Sequence, residues 1–290
     1  MPYHVLLDTS SLMYRAFFAL PPTIAATDGQ SVNAVHGYLD MTARLQTIYQ
    51  PDQIIHVFDH DWRPAPRVAA YAGYKADRPD DPPALPPQFT LLRIVLEAFG
   101  APQAEALGWE ADDAIGALCV QAESDTRIDI VTGDRDLLQL VREDREAATV
   151  RVLMPERGVG NLVVFDTAAV LAKYGVPPER YVAFATLRGD PSDGLPGVSG
   201  VGEKTAQRLV AEYGDLDRLH ANVDALQPRI SARVREAAPY LAAMEQVVPI
   251  RTDVPVQMTP GARDDARLDQ LGAQYRLSGP IARLRAAVRG

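Results

Sequence analysis

Cysteine is nearly absent. Cys119 is the only one, which excludes an internal disulfide and a cysteine-based zinc site. Its place in a helical apolar pattern points to the core. His4, His36, His56, His60 and His220 are scattered, and none is positioned to act as a general base. Lysine is limited to Lys75, Lys173 and Lys204, and arginine carries nearly all the remaining positive charge. No apolar run approaches the length of a transmembrane helix. The first residues superficially resemble a secretion signal, but Asp8 and Arg15 interrupt the apolar stretch and no basic residue precedes it. A cytoplasmic protein without a membrane partner is expected.

Acids outnumber bases, 38 to 29, for a net charge of −9. Such a balance argues against nucleic acid as a partner only if the acids are spread evenly, because the local field governs binding. They are not spread evenly. Three β-branched, apolar runs each stop on aspartate: His4 to Asp8, Ile54 to Asp59, and Ile128 to Asp134. Runs of this kind read as strands buried on both faces, as in a parallel sheet, where the functional crevice lies beyond the strands' carboxyl ends. A lone aspartate at a strand end serves equally well as a helix N-cap. Three of them, with Glu110, Asp112, Asp113, Asp136, Asp190 and Asp193, form a convergent set whose repulsion calls for cations. Oxygen-only donors suit Mg²⁺ or Mn²⁺.

At 290 residues, 47% hydrophobic and 23% charged, the chain has ample material for one large or two ordinary domains. The spacing predicts helices from Ser10 to Leu20, Ala34 to Tyr49, Phe89 to Phe99 and Glu110 to Glu123, with another starting at Leu137. Glu110 and Asp113, three apart, share a helix face, and Asp112 sits about 100° away from Asp113. Val150 to Phe165 reads as two strands joined by a turn at Glu156-Arg157-Gly158-Val159-Gly160, and Asp166 caps a helix closed by Gly175. A Pro-rich stretch, about 63–90, lacks core periodicity and reads as functional or disordered. Strands alternating with helices, followed by helices alone, predict an α/β domain over 1–176 and a helical region over 177–290.

Gly189 to Ala206, Gly-Asp-Pro-Ser-Asp-Gly-Leu-Pro-Gly-Val-Ser-Gly-Val-Gly-Glu-Lys-Thr-Ala, is the most specific segment. Its second half fits a helix–hairpin–helix turn. Gly197, Gly200 and Gly202 permit close approach of a phosphate to the N–H groups opening the next helix, and Lys204 and Thr205 lie in its first turn. A plain Gly-rich turn between helices is the competing reading.

With this segment the chain resembles the 5′-nuclease family, the bacterial flap endonucleases and the 5′-nuclease domain preceding DNA polymerase I. The resemblance also rests on Asp8 to Phe17, Val57-Phe58-Asp59, Tyr71 to Pro79, Glu110-Ala111-Asp112-Asp113 and Thr132 to Asp136, in that order. It implies a PIN-like, Rossmann-like sheet, mostly parallel, with helices on both faces. A helical region bearing a helix–hairpin–helix or helix–three-turn–helix motif follows. It implies a two-metal hydrolase of DNA with free 5′ ends, 5′ flaps, nicks or gaps, working as a monomer at the nucleoid in replication and repair. Asp8, Asp59, Glu110 and Asp112 would serve one metal, Asp136, Asp190 and Asp193 the other, with Asp113 and Asp134 near or between. Lys75 and Arg78 would face the scissile phosphate from the base of the arch segment. Tyr74 would stack on a terminal base, Arg15 and Arg67 would contact DNA, and K⁺ would sit at the hairpin turn.

Thr9 stands where the family usually has glycine, and the prolines near Pro82 to Pro87 suggest a partly extended arch. Asp61 either reaches toward the metals or is exposed. No segment resembles a polymerase, so a stand-alone nuclease is expected. The competing functions are a catalytically weak DNA-junction binding module, disfavoured because all the acids are present, and a PIN-like RNase, which usually lacks the turn and the arch.

Overall fold

The three apolar runs become β1 (Tyr3–Asp8), β2 (Gln53–Val57) and β4 (Arg127–Val131), and β1 lies between the other two, parallel to both. In this computed structural model, which describes every residue except 145, 157, 158 and 290, they form the middle of a seven-stranded sheet. β3 (Gln103–Ala106) extends it in parallel beyond β2, and β5 (Thr149–Pro155) does so beyond β4. Both edges are antiparallel: β6 (Leu162–Phe165) on β5, and β7 (Val256–Thr259) on β3. The order is β6-β5-β4-β1-β2-β3-β7. The chain moves outward from β1 through β2 to β3, then returns to the far side of β1 with β4. That reversal makes β1/β4 the switch point where an open α/β sheet forms its crevice.

Alternation along β1 divides the core. Val5 and Leu7 join Val131 and Leu153 under α1 (Thr9–Ala19), α2 (Asn33–Tyr49) and α4 (Pro86–Phe99). Leu6 points the other way with Ile130 and Val152, beneath α5 (Ala111–Gln121) and α7 (Tyr181–Arg188). Cys119 is buried and free. The first four predicted helices are present within a few residues. α4 begins earlier than its periodicity suggested, because Pro86 and Pro87 occupy its first turn, where a missing N–H costs nothing.

Other expectations need correction. The helix predicted from Leu137 is only a 3₁₀ turn, Asp136–Leu140. The predicted turn between β5 and β6 includes Arg157 and Gly158, which lie outside the described residues. The short α3 (Ala65–Ala70) opens the arch segment, and 71–85 contains turns and extended chain without a helix. The helical region comprises α7 and, after α6 (Thr167–Tyr174), continues through α8 (Glu203–Tyr213), α9 (Leu216–Ala221), α10 (Pro228–Glu236) and α11 (Ala238–Val247). After α11 the chain is no longer helix alone and packs back on the α/β core. β7 returns to the sheet, α12 (Asp265–Gln274) packs on α4, and α13 (Ser278–Arg289) packs on α2. Leu268, Leu271, Leu277, Ile281 and Leu284 supply the apolar stripe that draws this segment into the α/β core. No helix among the described residues is long and apolar enough to cross a membrane.

Asp129 lies fully buried at the middle of β4. Its oxygens accept from Arg151 Nε and Nη2 and from Arg127 Nη2, all at 2.8 Å, and from Tyr3 Oη at 2.7 Å. These hydrogen bonds outweigh burial and hold its carboxyl below the ordinary range. Asp129→Ala should cost about 3 kcal/mol, because it strands two partly buried guanidinium groups and a phenol. Urea denaturation would measure this, and a loss below about 0.5 kcal/mol, the level of an ordinary surface change, would contradict it.

Candidate active site

The carboxylates meet at the strand ends, and local helix geometry fixes several of them. Asp8 ends β1 and N-caps α1, accepting from Ser11 N at 3.1 Å, while its other oxygen accepts from Thr132 Oγ1, just past β4, at 2.6 Å. One side chain therefore spans the switch point. Asp59, past β2, accepts from Ala111 N at 2.8 Å and from Ser10 Oγ, joining α1 to α5. Glu110 is the N-cap of α5, which carries Asp112 in its first turn. Asp134 accepts from Asp136 N at 2.8 Å and so orders the turn after β4. Asp190 accepts from Ser192 N at 2.9 Å in the tight turn that presents Asp193.

Electrostatics shows that these acids form one cluster. Burial, then Asp59, pushes Asp8 from 3.8 up to about 7, with Asp134 adding to the rise. Burial raises Asp112 well above the ordinary range, reinforced by Asp134, Asp8 and Glu110. Asp136 is raised likewise by burial and by Asp134, Asp193 and Asp190. Asp134 thus links the two halves. Glu110, Asp112, Asp136 and Asp193 border one small cavity of about 20 Å³, space for a single water-sized occupant. Among the described residues no group of three or more His, Cys, Asp or Glu side chains stands in metal-holding geometry. In the chemistry of its donors, a set of carboxylate oxygens without sulfur or imidazole, the cluster suits a hard divalent cation.

Basic groups of the arch segment partly neutralise the cluster. Lys75 is buried, with left-handed backbone (φ 51°). Its Nζ donates to Glu110 Oε1 and lies 3.8 Å from Asp193. Arg78 Nη2 donates to Asp193 Oδ1 at 3.1 Å and is otherwise exposed. Lys75 N donates to Asp193 O at 2.9 Å, and a Cβ on Gly194 would stand 2.4 Å from Gly73 O. Only glycine allows that contact between the base of the arch and the acidic loop.

Three expected roles change. Asp113 is fully buried, and both its oxygens accept from Arg67 at 2.7 Å, so it is an anchor for that arginine rather than a metal ligand. Arg67 is 3% exposed and occupied by protein acceptors, which removes it from DNA. Tyr74 is buried with its hydroxyl donating to Glu110 Oε2 at 2.7 Å, so its ring cannot stack on a base. Arg15 stays at the rim beside Gly133. Asp61 accepts from Arg63 N at 3.0 Å in a local turn. His56 is buried against Tyr38, and burial lowers it to about 3, so it is neutral and unsuited to basic catalysis.

At the hairpin turn, Gly200 (φ 76°) and Gly202 face open space, whereas Gly197 packs against Arg188 O and donates its N–H to Tyr240 Oη. Gly197 shapes the turn from behind. Lys204 is exposed in the first turn of α8, and Thr205 is half-buried. Sequence reasoning missed Arg135 and Arg188, whose Nη2 atoms lie 3.8 and 3.9 Å from Asp190 Oδ2. Their adjacency to acidic motifs was the available signal.

A family model for the 5′–3′ exonuclease N-terminal, resolvase-like domain matches residues 3–175, and one for the 5′–3′ exonuclease C-terminal SAM fold matches 176–270. A 5′–3′ exonuclease of Streptomyces coelicolor is 45% identical, covering 97% of this chain and 98% of its own. A 5′–3′ exonuclease of Mycobacterium tuberculosis is 40% identical, covering 98% and 97%. DNA polymerase I of Mycobacterium bovis is 42% identical over 89% of this chain but only 28% of the polymerase. Two solved structures share the fold. T5 5′-exonuclease with divalent metal ions bound has a TM-score of 0.66, 16% identity and coverage of 99% and 98%. The catalytic core of Rad2 in complex with DNA substrate has 0.60, 18%, and 99% and 91%. The fold and the full-length relatives define a nuclease, a phosphodiester hydrolase. The chain belongs to the 5′–3′ exonuclease family.

The raised acids have a pH signature. Asp8, at about 7 when folded, binds its proton more tightly than in the unfolded chain. Its stabilising contribution is complete below about pH 4, its unfolded range, and is lost as pH rises through 7. In EDTA, the melting temperature should fall from pH 5 to pH 8, and Asp136→Asn should raise it at pH 8. Calorimetry showing the opposite slope would contradict the clustered geometry.

Proposed function

We propose that the chain cuts DNA at free 5′ ends and 5′ flaps, including nicked or gapped duplexes, using two Mg²⁺ or Mn²⁺ ions. The observation carrying this reading is the convergence of carboxylates at the β1/β4 switch point, where Asp8, Asp112 and Asp136 are each buried and raised and the Asp134 charge acts on all three. Asp8, Asp59, Glu110 and Asp112 would hold one ion, and Asp136, Asp190 and Asp193 the other, with Asp134 between. When bound, such ions make hydroxide available near neutral pH and stabilise charge on the phosphate and leaving oxygen. Lys75 turns its ammonium from Glu110 to the scissile phosphate, and Arg78 approaches the same phosphate from the rim.

The exposed backbone at Gly200 and Gly202, with Lys204 and Thr205, holds the duplex by its phosphates, and carbonyls of the same turn would hold K⁺. Arg15 adds a contact at the rim of the acidic site. These contacts position DNA without reading sequence. The protein acts as a monomer, in the cytoplasm at the nucleoid. The nuclease unit is 1–176, and the duplex-holding unit is the helical part of 177–290.

Labelled 5′-flap DNA, with single-stranded RNA as the control, tests the reading. Cleavage should require Mg²⁺ or Mn²⁺, stop in EDTA, and fall by several orders of magnitude in Asp112→Asn while flap binding in Ca²⁺ persists. Preferred cleavage of RNA would instead indicate an RNase. Lys204→Ala should weaken flap binding and make its logarithmic salt dependence shallower by about one unit. An unchanged slope and affinity would make the turn purely structural.

A further inference from the structure

Arg67 is buried and spends all its donor nitrogens on protein acceptors. It rises from α3, at the base of the arch. Its Nε donates to Val247 O at 3.0 Å, and Nη2 donates to Pro249 O at 3.3 Å and Asp113 Oδ1 at 2.7 Å. Nη1 donates to Asp113 Oδ2 at 2.7 Å and to Glu110 Oε2. The guanidinium lies near the Tyr74 and Trp109 rings, 5.9 and 6.0 Å from their centroids. Asp113 is itself fixed, accepting from Arg251 N at 2.9 Å and Glu110 N at 3.3 Å. Hydrogen bonds thus hold the fork on both of its edges, beside the small cavity that Arg67 and Glu110 both border.

The two oxygens of Glu110 are therefore unlike. Oε2 accepts from Arg67 and from Tyr74 Oη, both buried and both held by their own surroundings. Oε1 accepts from Lys75, an ammonium on a flexible stem that also lies near Asp193. A buried ion network of this kind is poor as a source of stability, since desolvation cancels much of its attraction. What it supplies is orientation. The planar fork grips both oxygens of Asp113 and thereby fixes the direction from which Nη1 meets Glu110 Oε2, which a single-point ammonium would not.

We propose that Arg67 is a positioning residue that, with Tyr74, pins Glu110 by Oε2 and leaves Oε1 as the one oxygen available to the cation site. The inference rests on the nuclease reading above. It also ties the acid to the end of the helical region, because Val247 and Pro249 hold the same guanidinium.

Arg67→Lys keeps the charge and removes the fork. It should remain folded by calorimetry and bind flap DNA in Ca²⁺ like wild type. Mn²⁺ binding, counted by electron paramagnetic resonance, should weaken at least 5-fold. Single-turnover cleavage at saturating DNA should slow at least 10-fold. A folded variant that matches wild type in Mn²⁺ binding and cleavage overturns the proposal. If Arg67→Lys does not fold, Tyr74→Phe, which removes one donor to the same Oε2, decides: several-fold slower cleavage supports the role, and an unchanged rate overturns it. Wild type is run alongside. Its failure to cut would overturn the nuclease reading and this inference together, whereas cleavage by wild type with no effect of either variant overturns the positioning role alone.

Discussion

Repulsion among carboxylates at the β1/β4 switch point is the constraint that the rest of the site answers. A parallel sheet brings the ends of distant strands to one edge, and this chain places an acid at nearly every such end. Each is stabilised by a local device rather than by distance from the others. Asp8 and Asp190 cap turns, Asp59 takes the Ala111 N–H at the start of α5, and Asp134 takes the Asp136 N–H. Helix N-termini, with their unpaired N–H groups and favourable dipole, are the places where a negative charge costs least.

Those devices leave a remainder, and the arch segment supplies the counter-charge. Lys75 reaches Glu110 and Asp193 from a turn that only Gly194 allows to dock. Arg67 locks Glu110 and Asp113 below it. A divalent cation would outbid an ammonium at such oxygens. The basic groups of the arch are then divided by their partners: Arg67 is tied to Asp113, Glu110 and two backbone carbonyls, while Lys75 and Arg78 are held by carboxylates of the acidic cluster. The net charge of −9 is consistent with a nucleic-acid enzyme because so much of it is concentrated where cations are expected.

Much of this was legible in the sequence. The three apolar runs ending on aspartate identified the central strands, and the acidic motifs identified most of the cluster. β3 and β7 were not legible, because Gln103 to Ala106 and Val256 to Thr259 are four residues each and only lightly apolar, with pairing deciding their state. The return of α12 and α13 to the α/β core depends on tertiary contacts that local periodicity does not report. Asp113, Arg67 and Tyr74 were misassigned for a common reason. A motif shows that a charged or aromatic residue is near the site, but burial decides whether it faces the substrate or holds up a neighbour. Asp113 shares a helix turn with Asp112, yet it points into the protein against Arg67.

The central claim is that these carboxylates form a cation site that presents a DNA phosphate for hydrolysis. Anomalous diffraction from crystals grown with Mn²⁺ and a 5′-flap DNA measures it directly. The account predicts Mn²⁺ peaks among Asp8, Asp112, Asp136 and Asp190, with a DNA phosphate beside them and Lys75 released from Glu110. A flap bound elsewhere, with no Mn²⁺ in the cluster and Lys75 still on Glu110, would contradict it.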